Sequence, residues 1–398
     1  MSPAVIPDPH KTQFDILIIG GGLVGAAFAQ SLAGSNLSIG LLESRPPTAP
    51  SLDAQEWDSR VYAISPANAR FLGAAWQAIP AERVAPIHQM DVRGDRPDAR
   101  LNFDAIAAGR PELGWIIESR QLQYSLWQSL TEQSNLTLIT GQLGRALTFD
   151  AETANLELAD GSTYDARLIV GADGAQSWTR QQAGIDINAR PYLQQGVVAN
   201  FQCEKPHGNV ARQWFLPDGI LAWLPLPDQR ISIVWSCFEE QAKGLLALDF
   251  AGFTERVAAA GHHALGQLQL LTAPAGFPLR LMRAQRWVAP RLALIGDAAH
   301  NVHPLAGQGV NLGFQDAEEL ARVLRAREAE RDCGELGLLR RYERARQEDT
   351  LAMQTVTDSL QKLFNNSSRL LTEVRNTGLQ LVENQHWIKR TLMRHAFG

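Results

Sequence analysis

Three glycines, Gly20, Gly22 and Gly25, are spaced G-x-G-x-x-G directly after an apolar run that starts at Phe14, and the next apolar run, Leu37 to Leu42, ends on Glu43. That spacing suits a dinucleotide: one glycine permits a tight turn, the next lets backbone approach a pyrophosphate at a helix N-terminus, and the third allows close helix packing. An acid closing the following strand bonds ribose hydroxyls. Glutamate rather than arginine at this place favours an unphosphorylated 2′-hydroxyl, so FAD or NAD rather than NADP. The motif alone does not separate those two. The elements that must hold it are a buried strand, a turn, a helix and a second strand, half of a doubly wound α/β unit. Phe14 to Gly34 is the most membrane-like stretch of the chain, but Asp15, a triple glycine and a change of period exclude a span.

Two further motifs narrow the choice. Val170 to Arg180 reads VGADGAQSWTR after a short apolar run, and Leu292 to Gly313 reads LALIGDAAHNVHPLAGQGVNLG, an apolar strand breaking into a glycine-rich loop and then a helix. A nicotinamide dehydrogenase has no use for that second loop. The three motifs, in this order and at these separations, resemble those of the group A flavoprotein monooxygenases, relatives of para-hydroxybenzoate hydroxylase. The blocks LGWIIESRQLQ, QWFLPDGILAWLPLPD and YERARQEDTLAMQTVTDSLQKLF extend the likeness to the UbiH, UbiF and UbiI (VisC) ubiquinone-pathway hydroxylases, from about Phe14 to the terminal Ala396-Phe397-Gly398.

That resemblance implies FAD as cofactor, O2 as cosubstrate and NAD(P)H or another electron donor as reductant. It implies hydroxylation of an aromatic ring through a flavin C4a-hydroperoxide in a water-excluded pocket. Asp297 is expected on the ribityl hydroxyls and Pro304 beside the flavin. Gly307, Gly309, Val310 and Asn311 are expected at the pyrimidine end of the ring, where a helix N-terminus stabilises the negative charge of the reduced cofactor. Asp173 and Gly174 form the DG motif between the pyrophosphate and the route of the nicotinamide donor. Arg60 and Arg120 match positions that contact FAD, and Arg180 is either part of this set or a salt-bridging helix residue. His303, next to Pro304, is a candidate base for a phenol proton and equally a structural hydrogen-bonder. No second G-x-G-x-x-G occurs, so a nicotinamide donor binds transiently or electrons come from another protein.

Between Gln195 and Phe238 apolar and aromatic residues alternate, which builds an apolar sheet face. Most such faces are core, but as a set this one suits a prenyl tail, with Phe201, Phe215, Leu221 and Trp223 as candidate substrate contacts. The expected fold is α/β (α+β). A Rossmann-like FAD-binding domain is discontinuous over 1–75, 95–180 and 280–330. A β-sheet substrate domain covers 181–279 with 76–94, and 331–398 form a helical C-terminal region.

Composition agrees with an ordinary globular protein: 398 residues, a net charge of −5, 45% hydrophobic and 20% charged. No long basic run exists to hold a nucleic acid by counterion release. Three separated cysteines argue against a metal knuckle or a disulfide framework and fit a reducing compartment. With no secretory signal read at the start, the expected location is the cytoplasm, at the periphery of the inner membrane where the substrate requires it. Basic residues Lys362, Arg369, Arg375, Lys389, Arg390 and Arg394 suit contact with an anionic membrane or with subunits of a ubiquinone-biosynthesis complex. The expected substrate is a polyprenyl phenol. Two alternatives remain open from sequence: a hydroxylase of the same fold acting on another aromatic, and a non-catalytic prenyl-lipid-binding flavoprotein subunit.

Overall fold

The computed structural model describes residues 12–51, 56–94, 96, 99–217, 219–301 and 309–364. Its first sheet has a parallel centre whose strands run in the order Leu292–Leu294, Thr163–Gly171, Thr12–Ile19, Ile39–Glu43 and Leu136–Thr140. Ile16, Leu17 and Ile18 are fully buried, as expected of a central strand covered on both faces. The covering helices Leu23–Ser31, Ser119–Thr131 and Gly309–Arg325 contribute Phe28, Leu126 and Phe314 to the same core. A hairpin, Gly144–Phe149 and Ala154–Leu158, extends the sheet antiparallel to Thr163–Gly171.

A second sheet runs in the order Arg100–Asp104, Gln89–Arg93, Val210–Leu216, Gly219–Leu226, Arg230–Phe238, Ile187–Cys203, Ala275–Ala284 and His300–Asn301. Its strands are antiparallel except that Gln89–Arg93 lies parallel to Val210–Leu216. Arg100–Asp104, a segment expected with the flavin domain, is thus hydrogen-bonded into this sheet instead. A small third sheet, Val61–Ile64, Gly114–Glu118 and Val84–Ile87, stands between the two.

Alternation along the second sheet sorts its residues cleanly. One face carries Val197, Phe201, Trp214, Leu221, Trp223 and Trp235, and helices Glu239–Leu246 and Phe250–Ala260 cover it through Ala242, Leu245, Phe253 and Val257. The other face carries Val198, Ala222, Leu224 and Val234 and looks into a cavity. The C-terminal helix Leu336–Phe364 begins as part of the flavin-side core. Leu338, Leu339 and Tyr342 are fully buried there, and the Tyr342 hydroxyl donates to the Leu294 carbonyl at 2.8 Å. No helix among the described residues is long and apolar enough to cross a membrane.

Candidate active site

Where the first strand ends, Gly20 takes a left-handed φ of 103°, and a Cβ there would lie 2.6 Å from the Ala172 carbonyl oxygen. Gly25 is equally constrained, since a Cβ would meet the Gly20 carbonyl oxygen at 1.9 Å. Both glycines serve close backbone approach. Gly22 differs: it is the N-cap of Leu23–Ser31, no side chain caps that helix, and a Cβ on it would meet nothing within 4 Å. Space is thus open beside the helix N-terminus, which has no side-chain cap and no acidic side chain in its first turn, the arrangement that receives a pyrophosphate.

Glu43 braces this loop as well as closing its strand. Its carboxylate accepts from the Gly21 amide at 2.8 Å and the Arg45 amide at 2.9 Å. The Trp127 indole donates to the Gly21 carbonyl at 2.7 Å, a support that no sequence motif signals. Across the strand ends, Asp173 accepts from the amide and hydroxyl of Thr179 through Oδ2, while its buried Oδ1 has no partner among the described residues. A buried, unpaired carboxylate oxygen calls for a donor. The hydroxyl-rich chain of FAD provides donors, so the residues present fit that cofactor. Arg180 proves to be a clasp between two motifs, donating to the Ala298 and Ala175 carbonyls at 2.9 and 3.0 Å.

The motifs converge on one cavity of about 650 Å3. Leu23, Arg60, Gly174, Asp297, Gly309, Val310 and Asn311 line its flavin side. Burial pushes the Asp297 carboxyl up, against the lowering influence of His300 and Arg60. Burial likewise raises the Tyr62 phenol, over which the Arg60 guanidinium sits 5.5 Å from the ring centre. Asn311 pins the start of its helix. Its Oδ1 accepts from the Ser65 amide at 3.1 Å and from Asn68 at 2.7 Å, and its Nδ2 donates to the Ala63 carbonyl at 2.6 Å.

Arg120 does not join this set. It is exposed, lies outside the cavity lining and pairs with Asp58 at 3.6 Å. Pro304, His303 and Gly307 lie outside the described residues. The four expected substrate contacts also fall elsewhere: Phe201, Leu221 and Trp223 face the covering helices, and Phe215 is buried in a separate cluster with Trp57 and Ile220. Because neighbouring strand residues face opposite ways, residues of the opposite parity on the same strands, Val198 on that of Phe201 and Ala222 and Leu224 beside Trp223, are the ones in the cavity.

The family described as "FAD binding domain" matches residues 13–359. The chain belongs to this family. The flavoprotein is 37% identical over 388 residues to the 3-demethoxyubiquinol 3-hydroxylase of Escherichia coli, spanning 96% of this chain and 98% of that protein. It is 36% identical over 387 residues to the ubiquinone hydroxylase UbiL of Rhodospirillum rubrum, spanning 96% and 89%. These relatives bear out the likeness to the ubiquinone-pathway hydroxylases that the motifs carry. Among solved structures, the p-nitrophenol 4-monooxygenase PnpA of Pseudomonas putida shares the flavoprotein's fold, with a TM-score of 0.79 at 18% identity over 98% of this chain and 99% of that one.

Proposed function

We propose that this chain is an FAD-dependent monooxygenase that hydroxylates the aromatic ring of a polyprenylated phenol in ubiquinone synthesis. The observation that carries the reading is the position of the cavity, with flavin motifs on one wall and an apolar sheet face on the other. Bound FAD, reduced by NAD(P)H or another donor, supplies the activation of O2 that places one oxygen atom on the ring and releases the other as water.

The protein's own residues bind, orient and dry the site. First-turn amides of Leu23–Ser31 receive the pyrophosphate, Glu43 the ribose and Asp297 the ribityl hydroxyls. The start of Gly309–Arg325 opposes negative charge at the pyrimidine end of the ring, since unpaired amides and the helix dipole favour an anion. Val198, Ala222, Leu224, Val234 and Leu279 exclude water that would divert the activated oxygen. Arg60, Arg212 and Arg280 are the cations of the described lining. A phenol beside one of them loses its proton more readily, which enriches the ring in electrons.

In this reading the flavin unit comprises 1–75, about 105–180 and 280–330, while the substrate unit takes 181–279 together with 76–104. Work alongside other ubiquinone-pathway subunits and contact with a membrane surface follow from the lipid character of the substrate. The deciding experiment is complementation of strains each lacking one ubiquinone ring hydroxylation, with mass analysis of the quinone precursors. Restoration of one step is expected. Failure in every strain, with the holoprotein present, overturns the reading.

A further inference from the structure

The cavity face of the second sheet contains a continuous cross-strand row. Gln213 pairs with Ala222, Ala222 with Val234, Val234 with Val198, and Val198 with Ala275. All five line the cavity. Five strands at about 4.8 Å spacing make this row about 19 Å long. Its two ends differ in chemistry. Gln213, at one end, is its polar residue, and its side-chain amide makes no hydrogen bond among the described residues. Beyond Ala275, at the other end, lies an apolar rim open to solvent.

The polar end lies on the side of the strand Val61–Ile64. Ala63, whose carbonyl accepts from Asn311 at 2.6 Å, packs in the same cluster as Ala211 and Leu224, which flank Gln213 and Ala222 along their strands. At the open end Ala275, Gly276, Phe277 and Pro278 line the cavity and are also exposed. Phe277 stands opposite Gly196, and a Cβ on Gly196 would come within 2.6 Å of its Cζ, so the ring lies across the neighbouring strand where only glycine leaves room. Two residues from Gly196 along its strand, Gln194, beside Leu193, pairs with Phe238. Phe238 is 44% exposed, Leu193 65% and Phe277 39%; Phe277 lines the cavity, and the other two stand exposed on the next two strands of the sheet. Exposed apolar clusters rimming a pocket mark a surface that something apolar covers.

We infer that this row is the substrate's track, with the phenol head at Gln213 and the polyisoprenoid tail leaving over Phe277 onto Phe238 and Leu193. The inference rests on the proposed substrate class and adds its direction and exit. A track of about 19 Å from strand spacing accommodates the ring and the first isoprene units and no more. A longer tail has to cross the rim, and continuity with the cavity makes the tail the occupant of the exposed patch.

The test uses the FAD-loaded full chain and phenols carrying zero to four isoprene units, with dissociation constants read from the perturbation of the flavin spectrum and kcat/KM from product formation. In the wild type affinity rises with each added unit. Phe277→Asp and the Phe238→Asp/Leu193→Asp double variant should lower the long-tail to tail-less ratio of kcat/KM at least tenfold. Gly196→Ala, which displaces the Phe277 ring without adding charge, should lower the same ratio. Gln213→Leu should weaken all the phenols by one common factor. If the rim variants weaken tail-less and long-tailed phenols equally, the exit is overturned while the substrate class stands. If the wild type ignores tail length, the substrate class itself fails, whatever the variants do. If the double variant instead loses binding to anionic phospholipid vesicles and keeps its tail-length preference, the patch is a membrane contact and the exit is again overturned.

Discussion

His300 Nε2 sits 2.6 Å from Asp316 Oδ2, with both side chains out of solvent. The same carboxylate accepts from the Gly296 amide at 3.0 Å and from Arg346 Nε at 2.9 Å, so one acid ties the G-D turn to the C-terminal helix. Burial alone would raise the Asp316 carboxyl, but the charges and hydrogen bonds of His300 and Arg346 hold it below the usual carboxylate range. A folded pKa below the unfolded one gives stability that is present above about pH 4 and lost as the pH falls through the folded value. Arg346→Met should therefore cost up to about 3–5 kcal/mol, because it removes one of the two charged partners of a buried carboxylate and leaves His300 as the other. Urea unfolding should show the loss at neutral pH, and acid unfolding of the variant should begin at a higher pH than in the wild type. An unchanged acid midpoint would remove Asp316 from this role.

Asp297 presents the opposite sign. Burial raises its carboxyl, so the cofactor-free protein gains stability from the protonated form, fully below the unfolded pKa, and loses it as the pH rises through the folded value. At neutral pH the charge opposes folding and serves the ligand. Asp297→Asn should raise the melting temperature of the FAD-free protein while weakening FAD on the order of tenfold to a hundredfold, the worth of about 1.5–3 kcal/mol for hydrogen bonds to a charged group. Calorimetry of the apoprotein and fluorimetric FAD titration check the two halves separately. A variant that loses apoprotein stability would contradict the account.

The glycine spacing, the acid at the end of the second strand and the G-D turn were legible because each is a local pattern whose geometry dictates residue type. The parity of the substrate sheet was not. On Gly219–Leu226 both faces are apolar and nothing polar marks which of Trp223 and Ala222 looks inward, while on the neighbouring strands Asn200 and Ser232, of one parity with Val198 and Val234, are polar marks set among larger aromatic residues. Side-chain size is the other trace left in the sequence. The large aromatics fill the core beneath the helices, and small residues stay on the face that leaves space for a ligand. The His300, Asp316 and Arg346 cluster was illegible for another reason: its members come from three separate elements, and only the fold brings them together.

Gly22 and Gly25 belong to one motif and should fail in different ways. A side chain at Gly22 meets nothing within 4 Å, so Gly22→Val should leave the apoprotein's melting temperature unchanged and abolish FAD retention by occupying the space of the pyrophosphate. Gly25→Ala puts a methyl group 1.9 Å from the Gly20 carbonyl oxygen, an overpacking that costs typically about 1–3 kcal/mol. Its apoprotein should melt earlier, and FAD should be lost as a consequence. Thermal melts of the two apoproteins side by side distinguish a ligand-space effect from a folding effect. Equal destabilisation would mean that Gly22, too, is a packing glycine.

Trp223 gives the sharpest contrast between core and site. It is 1% exposed, stacks edge-on against Trp214 at 4.8 Å between ring centres, and lies so close to Gly261 that a Cβ there would sit 2.1 Å from its ring. Trp223→Ala should cost about 3–5 kcal/mol through lost burial and the cavity left behind. On the strand's other face, Ala222 and Leu224 touch the ligand space. Ala222→Phe should therefore change little in stability while blocking the track between Gln213 and Val234, which raises KM for every phenol. Surviving Trp223→Ala protein, assayed well below its melting point, should keep the wild-type dependence on tail length. If Trp223→Ala instead flattened that dependence and Ala222→Phe left KM alone, the tryptophan face would be the lipid wall and the register of the sheet would have to be shifted by one residue.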